Sequence, residues 1–111
     1  MLHLTKAERL WLDAYRKDLE EKHPGAVHEM LIYGSKARGQ AHSESDLDVL
    51  LIVKNKSARQ KKLLRRIGYM LAATSDVLPS IIAYTEDEWE SRKQSGSSFR
   101  QAVDRDGVRV A

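Results

Sequence analysis

Residues 49–53, Val-Leu-Leu-Ile-Val, form the longest wholly apolar run of the chain. Such a run does not alternate between polar and apolar, so a strand built from it is buried on both faces. That demands an interior position in a sheet with helices packed on either side. It also falls far short of the roughly 20 apolar residues a membrane-spanning helix needs. At the head of this strand, where valine or isoleucine belongs, stand two aspartates, Asp46 and Asp48. Aspartate is disfavoured in strands, and two adjacent carboxylates repel.

The flanking sequence supplies the layers. Leu4, Ala7, Leu10, Trp11, Ala14, Tyr15 and Leu19 recur at helical spacing. Thr5 with Glu8 makes a capping box, and His23-Pro24-Gly25 ends a helix predicted from Lys6 to Lys22. Residues 27–33 read as a strand running into Gly34, and Asp46 or Leu47 opens the next, to Val53. Ser57 with Gln60 predicts a second capping box and an amphipathic helix over residues 58–73. A third strand follows over residues 77–84, irregular at Pro79. Thr85 with Glu88 opens an acidic helix to residue 93, and one or two helical turns are expected at residues 99–103. Asp106-Gly107 predicts a turn into a short last strand. The expected fold is a single α/β domain over residues 1–111, a small mixed sheet with helices packed against it.

No cysteine is present, so disulfide and thiolate chemistry are excluded. Charges interrupt the first ten residues where a secretory signal needs its apolar stretch, and a cytoplasmic protein is expected. The net charge of +3 conceals a basic block: Lys54, Lys56, Arg59, Lys61, Lys62, Arg65 and Arg66, with no acid among them. Such a block attracts nucleic acid, nucleotide phosphates or an acidic partner, or simply solvates a helix face. Aromatic residues do not interleave with it, which argues against base stacking. Neither Trp11 nor Trp89 is expected to stack on a nucleotide; both read as packing anchors.

On a strand, side chains at i and i+2 share a face about 6–7 Å apart, so Asp46 and Asp48 come together while Leu47 faces the core. Hard oxygen donors in that arrangement suit Mg²⁺ or Mn²⁺; taken alone, Asp-x-Asp also fits an exposed strand end. Upstream, Gly34-Ser35 follows a strand, and Ser35 is placed to cap a short helix through Lys36, Ala37 and Arg38. Backbone N–H groups at such a turn bind phosphate, glycine permits close approach, and Lys36 and Arg38 add positive charge. The spacing of Gly34 and Gly39 matches a P-loop, but Gln40-Ala41 stands where Lys-Ser/Thr is required, so that motif fails. The loop residue His42 lies between cradle and carboxylates, within possible reach of phosphate or simply in solvent.

Gly-Ser, ten residues, then Asp-x-Asp before an apolar strand resembles the signature of the nucleotidyltransferase superfamily that includes DNA polymerase β. "GSKARG" with "SDLDVLL" is most similar to the minimal nucleotidyltransferases, small antitoxins found beside toxins of the HEPN family. The resemblance covers about residues 27–84, with "RDGV" near the end a looser match. It implies that Gly34, Ser35, Lys36 and Arg38 hold the triphosphate of a donor nucleotide, ATP, and that Asp46 and Asp48 hold Mg²⁺ or Mn²⁺. Relatives often carry arginine at the position of Lys36, which adds a bidentate fork that lysine lacks. The family pattern also has a third carboxylate on a neighbouring strand. Residues 77–84 contain no acid, and Asp76, just before them, is the candidate third ligand and catalytic group, or simply a polar residue of the loop that ends the preceding helix. No second domain is evident to bind an acceptor, so a HEPN-type helical partner protein is expected to supply it; direct nucleic-acid binding is the lesser expectation.

Overall fold

The computed structural model describes residues 2–39 and 46–111. Helix α1 (Lys6–Lys22) opens on the predicted capping box: the Thr5 hydroxyl accepts from the Glu8 N–H, and the Glu8 carboxylate accepts from the Thr5 N–H. Strand β1 (Val27–Tyr33) leads into a five-residue helix α2 (Gly34–Arg38), and β2 (Leu47–Val53) returns antiparallel to β1. Helix α3 (Lys61–Ala72) crosses over to β3 (Pro79–Thr85), which runs parallel to β2. Then come α4 (Glu86–Gln94), α5 (Ser98–Asp106) and β4 (Val108–Arg109), antiparallel to β1. The sheet order is β3-β2-β1-β4, a mixed four-stranded sheet with β2 inside it.

The apolar run in β2 is covered on both faces, as its composition requires. Leu47, Val49, Leu51 and Val53 face a core shared with Trp11 and Tyr15 of α1 and Leu64 of α3. Leu50 and Ile52 face a second, smaller core with Trp89 of α4 and Val103 of α5. Trp11 is an anchor, its indole N–H donating to the Gly68 carbonyl at 2.9 Å, and the Tyr15 hydroxyl donates to the Leu64 carbonyl at 2.7 Å. A Cβ on Gly68 would overlap the Tyr15 ring and the tip of Ile81, so glycine is what lets α3 lie this close to α1 and β3.

Two predicted boundaries move. Ser57 and Gln60 do not form a capping box: residues Asn55–Gln60 are a 3₁₀ helix, Ser57 is buried within it, and α3 begins only at Lys61 without a side-chain cap. The third strand begins at Pro79, because pairing to β2 starts at Leu47 opposite Pro79. Among the described residues no helix is long and apolar enough to cross a membrane.

Candidate active site

Side-chain parity in β2 puts Asp48 on the face of Leu50 and Ile52, the α4/α5 side, at the end of the strand that Trp89 and Val103 do not reach. Asp46 immediately precedes the strand and is exposed, while Asp48 is half-buried. The two carboxylates interact: burial first, and then the charge of Asp46, raise the Asp48 carboxyl above its usual range, while Arg38 opposes the shift.

The Gly-Ser turn meets this pair directly. Gly34 has φ of +74°, a conformation L side chains rarely adopt, and a Cβ there would collide with Oδ2 of Asp48. The backbone of the cradle is therefore packed against the carboxylate. Tyr33, paired with Asp48 across β1 and β2, stands beside it; burial, and next the Asp48 charge, push its hydroxyl up to about 12, so it remains protonated. Tyr33 was not singled out from the sequence, although its place before Gly34 at a strand end was the available signal.

Ser35 does not cap α2. It lies within the helix, the N-cap position is Tyr33, and no side chain caps that end. The start of α2 thus lies beside the acid pair, and the N–H groups of a helix N-terminus are donors of the kind that bind anions. Arg38 is exposed and acts on both Asp48 and Asp106.

Lys36 requires correction. Its side chain is 2% exposed, and Nζ lies 3.1 Å from Oε1 of Glu8, the same oxygen that caps α1. Burial with a carboxylate partner makes Lys36 a bolt between α2 and α1 rather than a cation offered to phosphate. Asp76 is exposed and borders a groove with Ala7, Leu10 and Trp11 beside α1. The β3 residue aligned with Asp48 is Ser80. Among the described residues, no three His, Asp or Glu side chains gather closely enough to hold a metal. His42 lies outside the described residues.

The remaining donors still fit Mg²⁺ or Mn²⁺. Magnesium commonly takes one or two carboxylates, with waters and substrate phosphates completing its shell. Two mutually repelling carboxylates beside the start of α2 meet that need, since a cation relieves the repulsion that perturbs Asp48.

The family model described as "Nucleotidyltransferase domain" matches residues 12–101. The chain belongs to the nucleotidyltransferase family. Within it, this nucleotidyltransferase is 30% identical over 97 residues to a protein of Methanocaldococcus jannaschii named "Putative protein adenylyltransferase"; the match covers 86% of this chain and 91% of the relative. Its fold is similar to a crystal structure described as "a putative nucleotidyltransferase from Sulfolobus solfataricus", with a TM-score of 0.54 and 21% identity. That likeness spans 90% of this nucleotidyltransferase and 76% of the other chain.

Proposed function

We propose that this nucleotidyltransferase moves AMP from ATP to a hydroxyl on a partner protein, and that the partner is a HEPN-type toxin which it neutralises as an antitoxin. The observation carrying the nucleotide chemistry is the packing of the Gly34 backbone against the Asp48 carboxylate, which joins phosphate cradle and acid pair in one site. The protein acceptor is supported by the name of the M. jannaschii relative, and ATP as donor by the same name. The toxin partner rests on the resemblance of "GSKARG" and "SDLDVLL" to the small antitoxin branch.

In this reaction the acceptor oxygen attacks the α-phosphorus of ATP. A new P–O bond forms, the α–β bridge breaks, pyrophosphate leaves and the acceptor proton is released. Asp46 and Asp48 would hold Mg²⁺ or Mn²⁺, which when bound lowers the acceptor's pKa and neutralises the leaving group. The N–H groups at the start of α2, with the Ser35 hydroxyl, hold the triphosphate, and Arg38 adds charge at the same place. Positioning supplies most of the acceleration, since the chain contributes no nucleophile of its own. The requirement for ATP makes the cytoplasm the compartment.

The test is ATP labelled at the α-phosphate, with Mg²⁺ and the product of the neighbouring gene. Label should appear on the partner and vanish with Asp46→Asn or Asp48→Asn. Efficient labelling of a free small molecule or RNA by the chain alone would defeat the protein-acceptor reading. The position of Asp76 favours a second reading, in which metal and nucleotide bind but the partner is neutralised by binding alone. Neutralisation that survives both substitutions, with no label transferred, would establish it.

A further inference from the structure

A cavity of about 160 Å³ lies between α2 and α5, and its wall includes Gly34 of the phosphate cradle. Tyr33, the neighbour of Asp48, and Phe99 and Ala102 of α5 line it, together with the charged Arg38 and Asp106. The Tyr33 and Phe99 rings meet edge to face at 5.3 Å, which fixes the apolar wall. Asp106 is also fixed, since Oδ2 accepts from Nε and Nη2 of Arg105 at 3.2 and 3.0 Å. Its side chain is only 23% exposed. Arg38 lines the cavity and acts electrostatically on Asp48 and Asp106 alike, which links the cavity to the acid pair.

We infer that this cavity receives the base of the donor nucleotide, and that Asp106 accepts a hydrogen bond from the base's exocyclic amino group. The inference rests on the metal–nucleotide reading of the Gly34–Asp48 site. Its size, about 160 Å³, suits a single ring system rather than a whole nucleotide. Its chemistry favours a base as well, with aromatic and methyl surface against the ring and a carboxylate for an N–H donor. An amino base meets that carboxylate with a donor; a base bearing a carbonyl at the same position meets it with a second acceptor and is repelled. Asp106 is thus a specificity residue of the donor side, and α5 is part of the site rather than a cover for the small core.

The experiment is calorimetric binding of ATP, ITP and inorganic tripolyphosphate, with Mg²⁺, to the full chain. Wild type should bind ATP at least tenfold more tightly than tripolyphosphate, and about tenfold or more tightly than ITP, as a charged hydrogen bond predicts. Ala102→Trp, which fills the cavity, should bring ATP to the tripolyphosphate level while leaving tripolyphosphate affinity unchanged. That unchanged affinity also certifies the fold of the cradle. Asp106→Asn, a smaller change, should erase the preference for ATP over ITP even where Ala102→Trp fails to fold. Equal binding of ATP and tripolyphosphate by wild type, or full ATP affinity in folded Ala102→Trp, would overturn the cavity assignment. An ATP preference kept in Asp106→Asn would overturn the role of Asp106. Failure of wild type to bind tripolyphosphate and ATP at all would instead overturn the metal–nucleotide reading beneath both.

Discussion

Gly34 carries two constraints at one Cα, a positive φ and contact with the Asp48 carboxylate. Gly34→Ala is therefore expected to cost about 1–2 kcal/mol from the left-handed backbone alone. It should also lower AMP transfer by about a hundredfold or more, because displacing Asp48 misplaces the reacting groups. Urea denaturation and label transfer measure the two effects; a Gly34→Ala protein with wild-type transfer would show that the contact is incidental. Lys36 makes the complementary prediction. Removing one partner of a buried pair strands the other, so Lys36→Met should destabilise by about 3–5 kcal/mol. The double change Glu8→Gln with Lys36→Met should recover most of that, with glutamine still able to cap Thr5. If Lys36 is the bolt described here, folded Lys36→Met protein keeps near-wild-type affinity for ATP, whereas a phosphate ligand would lose it. Sequence made Lys36 look like a phosphate cation because its partner, Glu8, lies on another helix, where no local pattern reports it.

At the level of elements, capping was the most readable signal, and it was right where side chain and backbone formed a closed pair. Thr5 with Glu8 and Thr85 with Glu88 both cap as the spacing predicts. Ser57 with Gln60 has the same spacing and fails, because a 3₁₀ turn occupies that stretch and Ser57 is buried. Glu88 also accepts from Nζ of Lys61 at 2.8 Å, tying α4 to the start of α3. That bond first, and the Thr85 N–H next, hold its carboxyl below the ordinary value. A lowered carboxyl contributes stability that is present above its unfolded pKa and lost as pH falls through the folded one. Thermal midpoints of wild type and Glu88→Gln should therefore differ at neutral pH and converge below the ordinary glutamate value of about 4.5. A difference constant across that range would show the ion pair contributes nothing.

For the molecule as a whole, the basic block that reads as one patch is divided by the fold. Lys61 bonds Glu88, Lys54 approaches the His28 ring at 3.3 Å, Arg65 acts on the buried Tyr15, and Arg66 borders a groove with Asp18 and Lys22. Charges engaged with separate partners are less available to track a phosphate backbone. Filter binding to DNA or RNA between 50 and 200 mM salt should then give weak affinity and a shallow salt slope, with fewer than about six phosphates neutralised. A steep slope would restore the nucleic-acid reading. What the sequence by itself determined was everything carried by local periodicity and short spacing: the central strand at residues 49–53, the helices on each side, and the Gly-Ser and Asp-x-Asp pattern that carried the resemblance to the family. What only the tertiary structure decided was which charges face which partners. The contact of Gly34 with Asp48, the burial of Lys36 on Glu8, the placing of Asp76 beside α1 and the cavity under α5 all join residues from different elements. Such contacts follow from packing and register, which leave no pattern along the chain.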